Sequence, residues 1–456
     1  MLDLLSDLEL IPAPGMQLVP PEGERARASL ALTEAIADLD ARIDAQVNAL
    51  LAAPAFRALE AAWRSLDYLV TELPDDDLVR IRVLNASRAE LQADFDDAVD
   101  FDRSALFHIV YDQEYGRLAG EPYALLVADL EFGPGVEDAS FLRDLAGVAS
   151  AAHAVLLAGA SPELLGHASG RELSLRSLPN DVQAGTGFVA WNSLRAQEDA
   201  RYVGLVLPRV LLRAPYRPGD GQCLRLAEEP PAGADARLWG NAAFVLAARA
   251  LHAFHEYAWP VAIRGLSEGW GVASGLPTEE FTTDRPGLVV RPPIEVVLGE
   301  AQERAITELG LIPLCRVAGT PSLAFFTLPS LHLSRRVTDP DVAANLQLSA
   351  QLPNILAASR FAHYLKMILQ ARVGSFASRQ QIKQDLSDFL EKYVLPDPHA
   401  TPERKARNPL RRAELELTDR PGRPGVFDFT VLLQPQFQIQ DPSIVLRLTM
   451  AGEASR

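Results

Sequence analysis

The stretch Leu352-Pro-Asn-Ile-Leu-Ala-Ala-Ser-Arg-Phe-Ala-His-Tyr-Leu-Lys366, continued by Met367-Ile-Leu369, decides how the chain is interpreted. It predicts an amphipathic helix with a proline in its first turn, where the missing N–H of proline would go unpaired in any case. Apolar residues at helical spacing define the predicted buried face: Ile355, Leu356, Phe361, Tyr364, Leu365 and Ile368. Arg360, His363 and Lys366 are then expected to face a partner or solvent.

The composition is that of an ordinary globular protein. The chain has 456 residues, of which 48% are hydrophobic and 23% charged, enough for two or three domains with a substantial core. Its net charge of -17 argues against a general nucleic-acid binder, which needs clustered Lys and Arg, and disfavours anionic membrane surfaces. The acidic balance is compatible with a basic protein partner, although solubility explains it equally well.

The cysteines and the apolar stretches predict a cytoplasmic protein. Cys223 and Cys315 lie far apart, which makes a disulfide framework or a structural zinc site improbable and fits a reducing compartment. Residues 1–10 carry no basic region before their apolar residues, so they do not form a secretory signal. The longest nearly uncharged stretch, 146–160, is shorter than the roughly 20 residues that span a bilayer.

The N-terminal part predicts three helices. Residues 1–11 form a short amphipathic helix with Leu2, Leu5 and Leu8 on one side, followed by a Pro/Gly-containing linker from Pro12 to Gly23. Residues 25–51 carry a second helical pattern. The third helix is predicted to bury one face against the core: Phe56, Leu59, Trp63, Leu66 and Val70. Trp191 and Trp239 are likewise expected to pack inside rather than to bind a ligand.

Residues 78–369 alternate between β-like and helical patterns. Helices are expected near 138–152, 238–257 and 299–309. The expected strands are Ile81 to Leu84, Tyr123 to Val127, Val203 to Leu207, Val289-Val290 and Glu295 to Leu298. This alternation predicts an α+β fold, with a mixed α/β body and a β-rich C-terminal domain.

The last ninety or so residues change character. A helix ending before Pro396 precedes a charged loop, Glu403 to Arg412, which is the only dense positive patch. The loop is either simply solvated or docks on an acidic surface of a neighbouring subunit. Residues from Phe427 to Met450 alternate between apolar and polar with a period of two, which predicts strands. Pro435 and Pro442 indicate that these strands are interrupted or lie at a sheet edge.

The sequence contains no convincing catalytic, cofactor-binding or metal-binding motif. It has no Gly-Lys pair and no Gly-x-Ser-x-Gly, so neither a P-loop nor a nucleophile elbow is present. His252 and His255 lack the order of known zinc helices, and the run 75–77 is most simply a solvated loop. Asp129 and Glu131 flank a strand end like a carboxylate pair, but no other group converges on them in sequence. We therefore expect no enzyme activity and no cofactor.

Several colinear blocks resemble the large contractile-sheath subunit of type VI secretion systems, the TssC/VipB/EvpB-type family. The block at 352–366 is similar to a segment of that family, as is the tryptophan-bearing helix at 55–70. Further similar blocks extend from about Asp38 to Met450: Phe101–Phe107, Gly120–Tyr123, Asp129–Phe132, Glu198–Arg209, Leu238–Phe244, Ile263–Gly265, Phe281–Asp284, Leu309–Leu314, Lys405–Leu417 and Pro421–Gly425.

This resemblance implies a cytoplasmic structural protein that pairs with a small sheath subunit. The pair would polymerise with neighbouring sheath subunits around an inner tube protein, on a baseplate, and contract to propel the tube. An AAA+ unfoldase would recycle the contracted sheath by gripping an N-terminal helix. The alternatives are a sheath-fold adaptor or baseplate-type protein that forms no long polymer and, with the least support, an uncharacterised hydrolase.

The chain is expected to divide into three regions. Residues 1–24 form a helix and linker, residues 25–365 the N-terminal and middle region, and residues 366–456 the C-terminal sheath domain.

Three groups of residues are predicted to bind partners. The apolar stripe of the N-terminal helix would be the unfoldase handle, the basic loop would dock on a neighbouring subunit, and the C-terminal strands would join a sheet shared between subunits. The predicted partner-binding residues are Leu2, Leu5 and Leu8; Arg404, Lys405, Arg407, Arg411 and Arg412; Phe427, Phe429, Val431, Ile444, Leu446 and Leu448.

Overall fold

The fold is taken from a computed structural model. It describes residues 22–73, 78–117, 120–175, 182–217, 226–229, 235–282, 288–333, 350–372, 379–419, 426–436 and 446–453. The described chain combines helices with four separate sheets, which confirms the predicted α+β class.

The helices follow the apolar periodicity of the sequence closely in most places. The α-helices are α1 Glu22–Ala52, α2 Pro54–Thr71, α3 Arg88–Asp97, α4 Ala105–Phe107, α5 Val136–Ala151, α6 Gly170–Leu175, α7 Val189–Arg195, α8 Ala243–Tyr257, α9 Glu300–Glu308, α10 Leu352–Arg372, α11 Arg379–Glu391 and α12 Pro402–Arg407. A π-helical segment, His108–Tyr115, continues α4. The helices expected at 25–51, 138–152 and 299–309 are confirmed as α1, α5 and α9.

The strands build one large sheet and three small ones. The strands are β1 Leu125–Phe132, β2 Val155–Ala160, β3 Val203–Leu207, β4 Val210–Arg213, β5 Leu238–Gly240, β6 Val272–Ala273, β7 Glu279–Thr282, β8 Leu288–Arg291, β9 Ile312–Arg316, β10 Leu323–Phe325, β11 Leu410–Asp419, β12 Val426–Pro435 and β13 Leu446–Glu453. The large sheet has the order β1-β2-β3-β9-β10-β6. Its first four strands run parallel, whereas β10 runs antiparallel to both of its neighbours.

Helices cover both faces of the large sheet, so its central strands are apolar throughout. Every residue of β2 and β3 is buried. Along β2, Leu156 and Ala158 belong to one core with α5, whereas Val155 and Leu157 belong to a second core with α8 and the start of α10. This alternation with a period of two is what a strand covered on both faces requires.

Several strand predictions need correction. Val203–Leu207 matches β3 in full, and Val289-Val290 lies within β8. Ile81–Leu84 and Glu295–Leu298 are irregular segments, so those two predictions were wrong. In the predicted helix at 238–257, residues 238–240 instead form β5, and the helix begins at Ala243.

Three of the five residues predicted to be buried on α2 are exposed, whereas Phe56 and Leu66 are partly buried. Trp63 is 63% exposed, and Leu59 and Val70 are more than half exposed, whereas Ser65, Tyr68 and Leu69 form the buried face. Helix α2 therefore has large apolar residues on more than one side, and the side with Tyr68 and Leu69 packs inside. Trp191 is fully buried, as expected, and Trp239 is partly buried.

The chain divides into two compact units. The first comprises residues up to Leu59 together with 215–236, and the second comprises Glu60–Ala214 and Arg237 onwards. In the first unit, the Asn48 side chain donates to the Ala227 carbonyl over 3.0 Å and accepts from the Glu229 N–H over 2.9 Å. Among the described residues, the sheets and the three apolar cores lie in the second unit.

Candidate functional site

The C-terminal sheet lies on a small core of its own. Phe361 and Leu365 of α10, Leu386 of α11, and Val431 and Leu433 of β12 are buried together there. Trp259, which follows α8, stacks on Phe361 with ring centroids 4.2 Å apart. Helix α10 contributes its first turns to the second core and its middle to this third core, so it ties the C-terminal sheet to the body.

The order of this sheet places β12 in the middle. It pairs antiparallel with β11 on one side, for example Leu415 with Val431, and with β13 on the other, Val431 with Leu448. The prediction that the strands are interrupted or lie at an edge holds for β12 in its first form, because β12, which carries Phe427, Phe429 and Val431, is central but ends at Pro435. The Val431 side chain, 1% exposed, is part of the core. Leu446 and Leu448 lie on β13, which within the described residues pairs only with β12.

The basic residues do not form a single loop. Arg404, Lys405 and Arg407 lie in the last turn of α12, where cations complement the negative helix end. Arg411 and Arg412 lie in β11, where the pairing with β12 shifts register between Leu410 and Arg412. The Arg412 guanidinium pairs with Glu414, and Arg407 approaches Glu256 over 3.9 Å. The predicted charged loop is thus a short helix followed by a strand.

The polar residues of α10 are not solvated as expected. His363 is 1% exposed, and its Nε2 lies 2.9 Å from the Ala152 carbonyl oxygen. Lys366 places its Nζ 3.2 Å from the ring centroid of Tyr115, a cation–π contact. Arg360 donates to the Tyr364 hydroxyl over 3.0 Å. The prediction that these three face a partner or solvent was wrong for His363, which is buried, whereas Arg360 and Lys366 are only partly buried.

Desolvation dominates the electrostatics of this cluster. Burial lowers the pKa of His363 to about 3 and that of His153 to about 4, and it lowers the pKa of Lys366 to about 8. His153 Nδ1 lies 3.0 Å from the Tyr202 hydroxyl oxygen. Both histidines are therefore neutral at pH 7, and the contacts join α10 to the body.

Of the two carboxylates at the end of β1, Glu131 lies near an ion pair. Arg209 donates twice to Glu295, over 2.9 and 2.8 Å, and lies 3.9 Å from Glu131. Burial raises the pKa of Asp129 and of Glu131, and Asn241 and Arg209 respectively oppose that rise. Fixed, bidentate pairing of this kind orients side chains across strand ends. We therefore assign the Arg209–Glu295 pair a structural role.

Some predicted residues fall outside the described ranges: Leu2, Leu5, Leu8, Ile444 and the run 75–77. Among the residues that are described, no group of three or more His, Cys, Asp or Glu side chains is arranged to hold a metal ion. Within the same ranges, each helix is too short or too polar to cross a lipid bilayer.

Comparison with known proteins assigns both parts of the chain to one type of assembly. Residues 33–332 match the family described as EvpB/VC_A0108, tail sheath N-terminal domain, and residues 341–451 match its gpW/gp25-like tail sheath domain. The chain is 36% identical over 419 residues to a protein of Pseudomonas aeruginosa named type VI secretion system sheath protein TssC1. The aligned region covers 91% of this chain and 84% of that protein.

Proposed function

The chain belongs to the EvpB/VC_A0108 family of tail sheath proteins and is a large structural subunit of a type VI secretion sheath, and we propose that it polymerises with a small sheath subunit around an inner tube. The observation that carries this is the match of both tail sheath domains along one chain. Repeated head-to-tail contacts that do not close generate helical tubes. The family consists of structural sheath proteins rather than enzymes, and the propelling energy would be stored in subunit packing that has two discrete arrangements.

The proposed polymer is tested by co-expressing the chain with the small subunit encoded beside it and imaging the product by negative-stain microscopy. We expect long hollow tubes, present only when both chains are expressed together. Heterodimers or short rings without tubes would instead favour the alternative, an adaptor or baseplate-type protein with the sheath fold. The inner tube, the baseplate and a cytoplasmic location are part of the proposal.

Two of the predicted surfaces support a role in joining subunits. Strand β13 could extend its sheet into a neighbouring subunit, because strand addition supplies main-chain hydrogen bonds to an edge. The exposed Arg404 and Arg407 on α12 could meet an acidic surface, since the chain carries 60 acidic against 43 basic residues. Such rim charges set register and association rate more than affinity.

The N-terminal stripe of Leu2, Leu5 and Leu8 is proposed as the handle for an AAA+ unfoldase. An apolar stripe flanked by acids and followed by a Pro/Gly linker is a typical helix-in-groove ligand. Deletion of residues 1–11 should leave assembly and one contraction intact, while contracted sheaths persist in the presence of the unfoldase and ATP. Disassembly at the rate of the intact sheath would assign the handle elsewhere.

A further inference from the structure

A small pocket of about 40 Å³, with an apolar lining interrupted by several polar side chains, lies where the N-terminal tail sheath domain meets the gpW/gp25-like domain. It is formed by the turn at 261–264, the start of α10, the junction of α12 with β11, and the end of β12. Polar side chains of all four segments line it: Arg264, Gln351, Asn354, Lys405 and Gln436. About 10–15 Å³ accommodates one water, so a carboxylate group fits, whereas nucleotide-sized ligands need roughly 300 Å³ or more.

The walls of the pocket are held in place by the backbone. Gly265, whose φ of +82° suits glycine, accepts from the Gly271 N–H over 2.9 Å and donates to the Phe325 carbonyl over 2.8 Å. These bonds fix the turn that carries Arg264. Opposite, the Gln436 N–H donates to the Pro409 carbonyl over 2.7 Å, and its side chain donates to Leu410 over 3.3 Å. The backbone segments that carry Arg264 and Gln436 are therefore fixed by hydrogen bonds.

Two polar groups in the pocket lack a partner in the described part of the chain. The Arg264 guanidinium, half-buried, forms neither an ion pair nor a hydrogen bond there, and burial lowers its pKa. The Gln351 Oε1 is buried without a donor. Lys405, whose Nζ donates to the Pro398 carbonyl over 2.7 Å, adds a second cation, while no acidic side chain of the described residues lines the pocket. A partly desolvated cation is stabilised most by an anion that accepts its hydrogen bonds.

We propose that this pocket binds the carboxylate of an acidic side chain presented by a neighbouring sheath subunit. The carboxylate would accept from Arg264, and a backbone N–H of the same peptide would donate to the Gln351 Oε1. The assignment of the carboxylate to a neighbouring copy or sheath partner rests on the proposed function. This chain has 17 more acidic than basic residues, which fits a neighbouring copy as the source. Both tail sheath domains line the pocket. A carboxylate bound there would therefore link the arrangement of the two domains to the contact between neighbouring subunits.

The chemistry of the pocket is tested on the full-length chain by thermal unfolding in sodium acetate against sodium chloride at equal, high concentration and neutral pH. Acetate should raise the melting temperature of the wild type and of the control Arg103→Gln, whose side chain is 78% exposed. The rise should disappear in Arg264→Gln and be partly kept in Arg264→Lys. Equal acetate stabilisation of Arg264→Gln and the wild type would overturn the proposal.

The source of the carboxylate is tested by tube formation with the small subunit. Arg264→Gln should raise the concentration needed for half-maximal assembly about tenfold, because one charge-assisted hydrogen bond is lost, while Arg103→Gln assembles normally. Loss of the acetate effect with unchanged assembly would show a pocket for free anions and refute the neighbouring subunit as its source. If the wild type forms no tubes at all, the proposed function fails, and the acetate comparison alone decides whether the pocket binds carboxylates.

Discussion

His363 shows how far the environment of one residue can differ from its sequence context. It lies between apolar residues of α10, where the sequence suggested a polar position toward solvent, yet it is buried with its Nε2 directed at Ala152. Tyr115 lies against it with ring centroids 5.5 Å apart, and the Lys366 ammonium lies over the ring of that tyrosine. A histidine in this setting is a neutral packing residue with one hydrogen bond, and protonation would place a charge in the core.

The free energy of unfolding should therefore fall as the pH drops below about 6.5. The unfolded chain binds a proton at each histidine near its ordinary pKa of about 6.5, whereas the native state keeps His153 neutral to about pH 4 and His363 to about pH 3. Their stabilisation is complete above pH 6.5 and is lost on acidification by up to about 1.4 kcal/mol per pH unit for each histidine. Urea unfolding of the full chain between pH 7.5 and 5.5 measures this slope.

His363→Gln supplies the matched comparison, because its amide can donate toward Ala152 but does not titrate. Below about pH 6.5, the pH slope of this variant should be smaller than that of the wild type by up to about 1.4 kcal/mol per unit. The raised pKa values of Asp129 and Glu131 act in the opposite direction, so the difference between variants is the informative quantity. Identical slopes for His363→Gln and the wild type would show that this histidine is not buried.

Gly204 in β3 makes a second residue-scale prediction. A Cβ built there would lie 2.6 Å from Leu352 Cδ1 and 3.0 Å from Leu157 Cδ2, both in fully packed surroundings. Gly204→Ala should therefore cost about 1–3 kcal/mol through overpacking between the sheet and α10. Gly187→Ala, with open space around its Cβ, is the control that should change stability little. Equal melting temperatures for the two variants would mean that α10 can shift away from the sheet without cost.

At the scale of the element, α2 shows why burial was harder to predict than helix formation. Its apolar spacing predicts the helix correctly. Apolar residues lie on more than one side of the helix, however, and the prediction assigned burial to the side with Leu59, Trp63 and Val70. The inner face uses Tyr68, whose hydroxyl donates to the Ser274 carbonyl over 2.9 Å, and two ion pairs anchor the helix, Glu60 with Arg213 and Glu72 with Arg249. Those partners come from distant parts of the chain and leave no trace in local periodicity.

Trp63→Ala should accordingly leave the stability of the isolated chain nearly unchanged, within about 0.5–1 kcal/mol, because the indole is already mostly in water. Trp191→Ala, which removes a fully buried tryptophan, should cost about 3–5 kcal/mol in the same measurement. Chemical denaturation of both variants is a direct test. A large loss of stability in Trp63→Ala would restore the original prediction that this face is packed.

The strands show which part of the fold local patterns can predict. The run Val203–Leu207 is short, apolar and bounded by Pro208, so its strand was predicted to the residue. Strand β2 was missed because its apolar run continues from α5, and the boundary between them depends on the turn at His153, whose φ is +49°. Alternation predicted β12 and β13, but not their order in the sheet, since pairing between strands is decided by tertiary contacts.

At the scale of the whole molecule, the identity of the chain came from many weak blocks in one order rather than from a site. The pocket at Arg264 could not be predicted from the sequence. Its first and last lining residues are more than 170 positions apart along the chain. The predicted boundary at 365/366 lies within α10, which packs in two cores. The division of the chain into sheath domains stays a prediction.

The last prediction concerns how β13 would join subunits. Truncation after Asp441 removes β13 and should leave pairing with the small subunit partly intact while abolishing tubes, because the exposed sheet edge is lost.

Truncation also uncovers β12, so two proline variants are used to separate the loss of the sheet edge from the exposure of β12. Neighbouring residues of an antiparallel strand direct their N–H groups to opposite sides, so of Leu448→Pro and Thr449→Pro one removes a bond to β12 and the other an N–H at the free edge. The edge variant should keep the melting temperature of the heterodimer yet block tube formation in negative-stain images. Normal tubes from both the truncation and the edge variant would show that subunits meet elsewhere, because a shared sheet cannot form without that edge.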